Sequence, residues 1–269
     1  MTNNLAIKQV LMCLPNNFAV NYRINPWMKI GSVNKSRAKK QWQKLVSVYQ
    51  NLGIKIQIIN QNHPETSDLV FSADQGWIER KKIILANFRY QERKRERAIY
   101  QNWFEKNNFQ IVKLPEDYYF EGGGEMIRWG KKYFLGFGFR SKKKTAKKIA
   151  SILQKEVISL QLVDHRFYHL DLSLFILNEK VAFYYPEAFD NTSREKLKKI
   201  VPLLIPLEKK EAFNFAANSV NIDHKVVVQR GNNNFCRQLK HLHYQPIEVN
   251  VDEFLKAGGG IHCLTGLLS

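Results

Sequence analysis

One cysteine ends a glycine run: Ala257-Gly258-Gly259-Gly260-Ile261-His262-Cys263-Leu264-Thr265. Glycine lets a backbone take φ > 0 and pass close to a ligand. A thiol placed there is presented rather than packed away. Two further stretches carry complementary groups, Phe120-Glu121-Gly122-Gly123-Gly124-Glu125 and Phe167-Tyr168-His169-Leu170-Asp171. A thiol, an imidazole and a carboxylate are the parts of a nucleophilic site. Each also has a bland reading: a small core cysteine, a satisfied structural histidine, an ordinary glycine turn. Two glycine runs that no plain loop needs, together with the histidine, favour the site. His169 has two rivals, His262 and His165, and Glu125 rivals Glu121 as the acid beside the imidazole. If Cys263 lies in a strand, its neighbour His262 points to the opposite face, which favours His169. Cys13 and Cys236 lack a flanking glycine run and read as structural.

The elements that must position these groups follow from composition and pattern. A chain of 269 residues with 44% apolar content can bury a sizeable core. Its longest apolar runs, 172–177 and 181–185, are far short of a membrane span. The start, Met1-Thr2-Asn3-Asn4-Leu5-Ala6-Ile7-Lys8, has no charged segment followed by a long apolar one, so no signal peptide is expected. Three cysteines without CxxC spacing argue against a disulfide framework and against a zinc site. A reducing, cytoplasmic location fits them best. The net charge of +18 invites a nucleic-acid reading. The basic clusters at 37–40, 80–82, 93–97 and 142–148 are spread along the chain without a recognition pattern, so solvated helix faces explain them better.

Strand and helix patterns repeat. Residues 69–74 and 82–86 read as paired strands, followed by a helix from about 94 to 107 and a strand at 109–113. Strands at 126–129 and 133–136, a helix at 143–153 and a strand at 157–162 restate that order. So do strands at 170–177 and 181–184, a helix from about 193 capped by Asn191 or Thr192, and the segment 201–207. A fourth copy runs through 219–222, 225–229, 234–241 and 247–249. The fifth is split across the termini, with 261–267 pairing with 7–14, a helix at 38–52 and a strand at 54–59. Five ββαβ units of roughly 45 to 55 residues, the last closed by both chain ends, suggest a ring without open edges. One α/β domain spanning 1–269 is therefore expected. Glu121 and His169 precede first strands, Asp74 ends one and Cys263 sits in one, so the ring would gather them at its axis.

At this point the chain resembles the guanidino-group-modifying superfamily, which groups arginine deiminases, dimethylarginine dimethylaminohydrolases, arginine dihydrolases and amidinotransferases. Tyr22-Arg23-Ile24-Asn25-Pro26-Trp27-Met28 resembles its N-terminal substrate loop. Asp68-Leu69-Val70-Phe71-Ser72-Ala73-Asp74 resembles its strand ending in a guanidinium-binding residue. The stretches around Glu121, His169 and Cys263 resemble its three catalytic blocks. The resemblance implies the pentein fold, a five-bladed pseudo-symmetric α/β propeller. It implies Cys263 as nucleophile, His169 as acid and base, and Glu121 as its carboxylate partner. Asp74 and Asp171 would hold the guanidinium, Asn25 would line the pocket, and Arg140 with Arg93 would bind a substrate α-carboxylate. Glu125 stands where relatives have Asp, and Asp74 where the dihydrolase branch has Asn.

The implied activity is hydrolysis of arginine or a methylated arginine through a thiouronium on Cys263, giving citrulline plus ammonia or an alkylamine, with no cofactor and no metal. The alternatives are amidino transfer to an amine, and a dihydrolase that continues to ornithine. A different class, a binding protein on a degenerate scaffold, conflicts with an intact Cys, His and Glu set. A small guanidino compound is the partner implied. Neither membrane nor nucleic acid is called for, and a homo-oligomer stays open.

Overall fold

The computed structural model describes residues 7–60 and 62–268. Residues 1–6, on which the signal-peptide reading rests, lie outside them. The described residues form a mixed α/β fold with five three-stranded sheets. Four are sequential: Gly76–Glu79, Lys82–Leu85 and Gln110–Val112; Met126–Trp129, Lys132–Phe137 and Val157–Gln161; Leu174–Ile176, Val181–Tyr184 and Leu203–Pro206; Val220–Ile222, Lys225–Gln229 and Gln245–Val249. The fifth joins Gly266–Leu267 to Gln9–Cys13 and Lys55–Ile59, with Leu11 opposite Gly266.

Each sheet is built alike. Its middle strand pairs antiparallel with the strand before it and parallel with the one after. A tight turn suffices for the first pairing, whereas a parallel return needs a crossover. The crossover helices are Lys35–Asn51, Glu96–Lys106, Lys143–Leu153, Asn191–Ile200 and Asn233–His241. The middle strands read as unbroken apolar runs, such as Val226-Val227-Val228, all fully buried, as strands covered on both faces do. The first crossover helix buries Ala38, Gln41, Trp42, Leu45 and Tyr49 at a spacing of three or four, and the Asn34 side chain caps it by accepting from Arg37 N. Its lysines face solvent. The helix Asn191–Ile200 is capped by Asp190, which accepts from Ser193 N at 2.8 Å, not by Asn191 or Thr192.

One departure from the sequence pattern decides the site. The runs 126–129 and, but for one residue, 219–222 are first strands as expected, and 170–177 is a strand only over Leu174–Ile176, but 69–74 and most of 261–267 are not strands. Residues 67–70 are turn, Ser72–Gln75 is a 3-10 helix and the strand starts only at Gly76. Residues 261–264 are likewise turn, leaving the strand Gly266–Leu267. A single helical turn, Gly122–Glu125, precedes Met126; the 3-10 turn Leu170–Leu172 precedes Leu174; and residues 214–217 turn before Val220. Apolar content alone cannot separate a buried turn from a buried strand. All five units thus enter their first strand through a buried turn, and Asp74 and Cys263 lie in such turns rather than in strands.

Candidate functional site

The entry turns bring together residues from far apart in the chain. Cys263, in the 261–264 turn, is 2% exposed. Its Sγ lies 3.3 Å from Asp171 Oδ2 and 3.1 Å from Asn218 Nδ2. Its carbonyl accepts from Ala73 N at 3.1 Å, tying the cysteine turn to the one that carries Asp74. Burial pushes the Cys263 thiol well above its ordinary pKa, and the charges of Asp171 and Asp74 push it further. The resting sulfur is a thiol that donates to Asp171.

His169 is the N-terminal flank of the Leu170–Leu172 turn and is fully buried. Its Nε2 is 3.0 Å from Glu121 Oε2, and its Nδ1 is 3.7 Å from Asp74 Oδ1. Burial alone would lower the imidazole pKa. Asp74 and Glu121 outweigh it and raise the pKa. Glu121 is the acid that meets the histidine. The same Oε2 also accepts from Arg140 Nη1 at 2.6 Å. Burial works against the Glu121 carboxylate, but Arg140, His169 and Arg93 hold it well below the usual range. Glu125 is turned aside: its oxygens accept from Glu121 N, Ser141 N and Ser141 Oγ, and burial raises it to about 7.

Gly124 makes the histidine's position possible. A Cβ there would stand 2.5 Å from His169 Nδ1 and 2.7 Å from Asp74 Oδ1. The glycine run is thus a matter of space around the imidazole as well as of turning.

The remaining expected residues divide. Asp74 accepts from Arg93 Nη1 at 2.7 Å through Oδ2, and burial raises its pKa. Arg93 is spent on Asp74 and on both oxygens of Glu96, at 3.0 and 2.9 Å. The Arg140 guanidinium lies over the rings of Tyr90 and Tyr168, 4.8 and 4.4 Å from their centroids. Asn25 is not bonded to this cluster. Its amide donates to Ala257 O and accepts from Trp27 N, fastening the 22–28 loop to the start of the glycine run. His165 is exposed in the 3-10 turn His165–Phe167 and lies outside the cluster. His262 overturns its expectation. Because Cys263 is in a turn, strand alternation does not apply, and His262 Nδ1 sits 2.9 Å from Asp171 Oδ2.

Sequence reading missed two participants. Asn218 bonds both Cys263 and Asp171; its one signal was its place just before the fourth unit's first strand. Asp68 is buried, accepts from Tyr22 Oη at 2.9 Å, and is raised to about 7 by burial. Among the described residues, Asp68 Oδ1, Asp74 Oδ1, Glu121 Oε1 and Asp171 Oδ1 are buried carboxylate oxygens without a hydrogen-bond partner. Four such oxygens are costly unless a donor meets them. A planar cation with several N–H groups suits those of Asp74 and Asp171, which flank His169 and Cys263.

Residues 12–268 match the model of the eukaryotic N,N dimethylarginine dimethylhydrolase family. The chain belongs to this family. Its relatives include dimethylargininases and arginine dihydrolases of the guanidino-modifying superfamily. It is 34% identical over 259 residues to the N(G),N(G)-dimethylarginine dimethylaminohydrolase of Mycobacterium tuberculosis, covering 96% of this chain and 85% of that protein. It is 36% identical over 270 residues to a bifunctional arginine dihydrolase/ornithine cyclodeaminase of Synechocystis, covering 96% of this chain but 37% of that protein. The chain therefore spans little more than a third of that relative. The crystal structure of a variant of that relative's N-terminal domain with one asparagine replaced by serine, covalently bound to a reaction intermediate, superposes with a TM-score of 0.94 at 34% identity and covers 97% of both chains. No described helix is long and apolar enough to cross a membrane.

Proposed function

We propose that this protein hydrolyses the guanidino group of arginine or a methylated arginine through a covalent adduct on Cys263. One observation carries the reading: a buried thiol shares its site with an acid-paired histidine and with carboxylate oxygens that lack partners. The covalent intermediate held by the cyanobacterial relative supports it.

The substrate guanidinium donates to Asp74 and Asp171, which fixes its carbon for attack. Its charge offsets the carboxylates that hold the thiol neutral, so the thiol pKa falls and its proton is released to solvent as the cation enters. Sulfur then bonds to the guanidinium carbon, giving a tetrahedral adduct. His169, whose pKa Asp74 and Glu121 raise, gives a proton from Nδ1 to the leaving amine as the C–N bond breaks. A thiouronium remains on Cys263. His169 next takes a proton from water, hydroxide adds to the carbon, and the C–S bond breaks to release the ureido product. Glu121 steadies the imidazolium throughout, the role an acid plays in a hydrolytic triad. Arg140 is assigned to the substrate carboxylate; Arg93, expected to help it, holds Asp74 and Glu96 instead, and Asn25 is assigned to the wall of the loop that covers the site.

On this reading the five sheets are the blades of a closed pseudo-symmetric propeller, and residues 1–269 are one catalytic domain. No cofactor takes part. The likeness to a dihydrolase favours a second reading, in which the ureido group is hydrolysed again to ornithine; Asp74 speaks against it. Mass spectrometry after incubation with arginine, monomethylarginine and dimethylarginine tests the proposal. The expected result is citrulline with the matching amine, and loss of turnover in Cys263→Ser with the fold kept, since a serine hydroxyl stays protonated. A serine variant retaining a tenth of the rate would end the covalent mechanism.

A further inference from the structure

We infer that Asn218 is a further catalytic residue, whose amide N–H binds the Cys263 sulfur and holds it as the thiolate forms. The inference deepens the hydrolase reading and rests on it for turnover, while its effect on the sulfur can be measured without substrate.

Besides a 3.5 Å contact from Nδ2 to Asp171 O, four contacts fix the Asn218 side chain. Its Oδ1 accepts from His262 N at 3.0 Å and from Cys263 N at 3.3 Å. Its Nδ2 donates to Asp171 Oδ2 at 2.8 Å and to Cys263 Sγ at 3.1 Å. The two backbone donors decide which end of the amide is oxygen. A flipped amide would set N–H groups against N–H groups. The NH₂ end must therefore face the sulfur and Asp171. Asn218 is fully buried, so water does not compete for these bonds. Gly260 gives it room, since a Cβ there would lie 2.7 Å from Oδ1.

The position has a structural logic. The turns entering the first strands carry Asp74, Glu121, His169 with Asp171, and Cys263. The remaining unit, whose first strand is Val220–Ile222, contributes Asn218 from the same place. Every unit thus supplies a polar group to one centre.

The chemistry follows. At rest the thiol donates to Asp171 while the sulfur accepts from Asn218. When the proton leaves, the bond from Asn218 becomes charge-assisted and strengthens. Burial, Asp171 and Asp74 all oppose the thiolate, and the Asn218 bond is among the few that favour it. The same amide spans sulfur and Asp171, and so keeps the nucleophile in register with the carboxylate that grips the guanidinium.

Two variants separate this role from plain packing. Asn218→Asp keeps the size and the Oδ1 acceptor, loses the donor and adds a carboxylate that itself opposes the thiolate. Asn218→Ala loses acceptor and donor but adds no charge, so at the sulfur it isolates the lost donor. Alkylation of Cys263 by iodoacetamide, followed across pH by peptide mass, reads the thiol directly; turnover of arginine reads the reaction. The pH midpoint for alkylation should rise by about one unit or more in the aspartate variant and less in the alanine variant. The kcat of both should fall at least tenfold with little change in KM. A midpoint unchanged in the alanine variant overturns the inference even if activity is lost, because the residue would then only shape the turn. A wild-type kcat in Asn218→Asp also overturns it. A shifted midpoint in a protein that does not turn over arginine would sustain the role of Asn218 toward the sulfur and sink the hydrolase reading instead.

Discussion

Glu121 Oε2 lies 3.0 Å from His169 Nε2, so the imidazole nitrogen left for substrate is Nδ1. With Asp74 on its other side, the pair raises the His169 pKa above its ordinary 6.5 despite burial. A folded pKa above the unfolded one stabilises the fold fully below the unfolded value, and the contribution is lost as pH rises through the folded value. Urea unfolding of wild type and His169→Asn should therefore show a stability gap that is widest near pH 6 and narrows as pH rises past the folded pKa. Glu121 has the opposite sign. Its pKa is depressed, so its contribution is present above its ordinary 4.5 and lost on acidification below that; work above pH 5.5 keeps the two apart. A gap that widens with rising pH would show that His169 is not held as the cation.

Gly124→Ala should abolish turnover although only a methyl group is added. That methyl would meet His169 Nδ1 at 2.5 Å and Asp74 Oδ1 at 2.7 Å, inside any allowed contact. The backbone at Gly124 is not in the left-handed region, so the conflict is one of space alone. The expected outcome is a drop of about 10²-fold or more in kcat/KM, the order that misplacing catalytic groups produces, with a folded circular-dichroism spectrum. Near-normal activity would mean that His169 reaches the substrate from another direction.

How much of this site the sequence disclosed depended on what the signal was. Cys263, His169 and Glu121 stood out as candidates because glycine runs and reactive side chains lie together around them, whereas Asp74 drew its role from the resemblance of residues 68–74 to a guanidinium-binding strand. The middle strands were legible because Val226-Val227-Val228 and its counterparts can be little else. The entry turns were not, because Leu69-Val70-Phe71 is as apolar as a strand and only tertiary packing curls it. That error concealed His262, which strand alternation placed on the wrong face, and Asn218, an ordinary residue type whose meaning comes only from what surrounds it.

Arg140→Ala should reduce kcat/KM for both arginine and agmatine, and more for arginine. Agmatine lacks the α-carboxylate, so the difference isolates that contact. The common loss comes from Glu121, which would give up its 2.6 Å partner and with it part of its hold on His169. A charged hydrogen bond contributes about 1.5–3 kcal/mol, which sets the extra loss on arginine at roughly tenfold to over a hundredfold. Equal losses on the two substrates would leave Arg140 acting only through Glu121.

Asp74 should make the reaction stop at the ureido product. Its Oδ2 is held by Arg93 at 2.7 Å, which leaves Oδ1 to receive an N–H from the substrate. A carboxylate gains a charged pair from a guanidinium and much less from a neutral urea, so the ureido product is released after one hydrolysis. An amide can both donate and accept and could hold the neutral group for a second attack. After complete conversion of arginine, citrulline should be the main product, with one ammonia per arginine. Asp74→Asn should shift the balance toward ornithine, provided Arg93 keeps its bonds to Glu96. Ornithine as the main product of the wild type, with two ammonia per arginine, would overturn the role given to Asp74 and place the activity with the dihydrolases. Turnover of dimethylarginine but not arginine would keep the mechanism and change only the substrate.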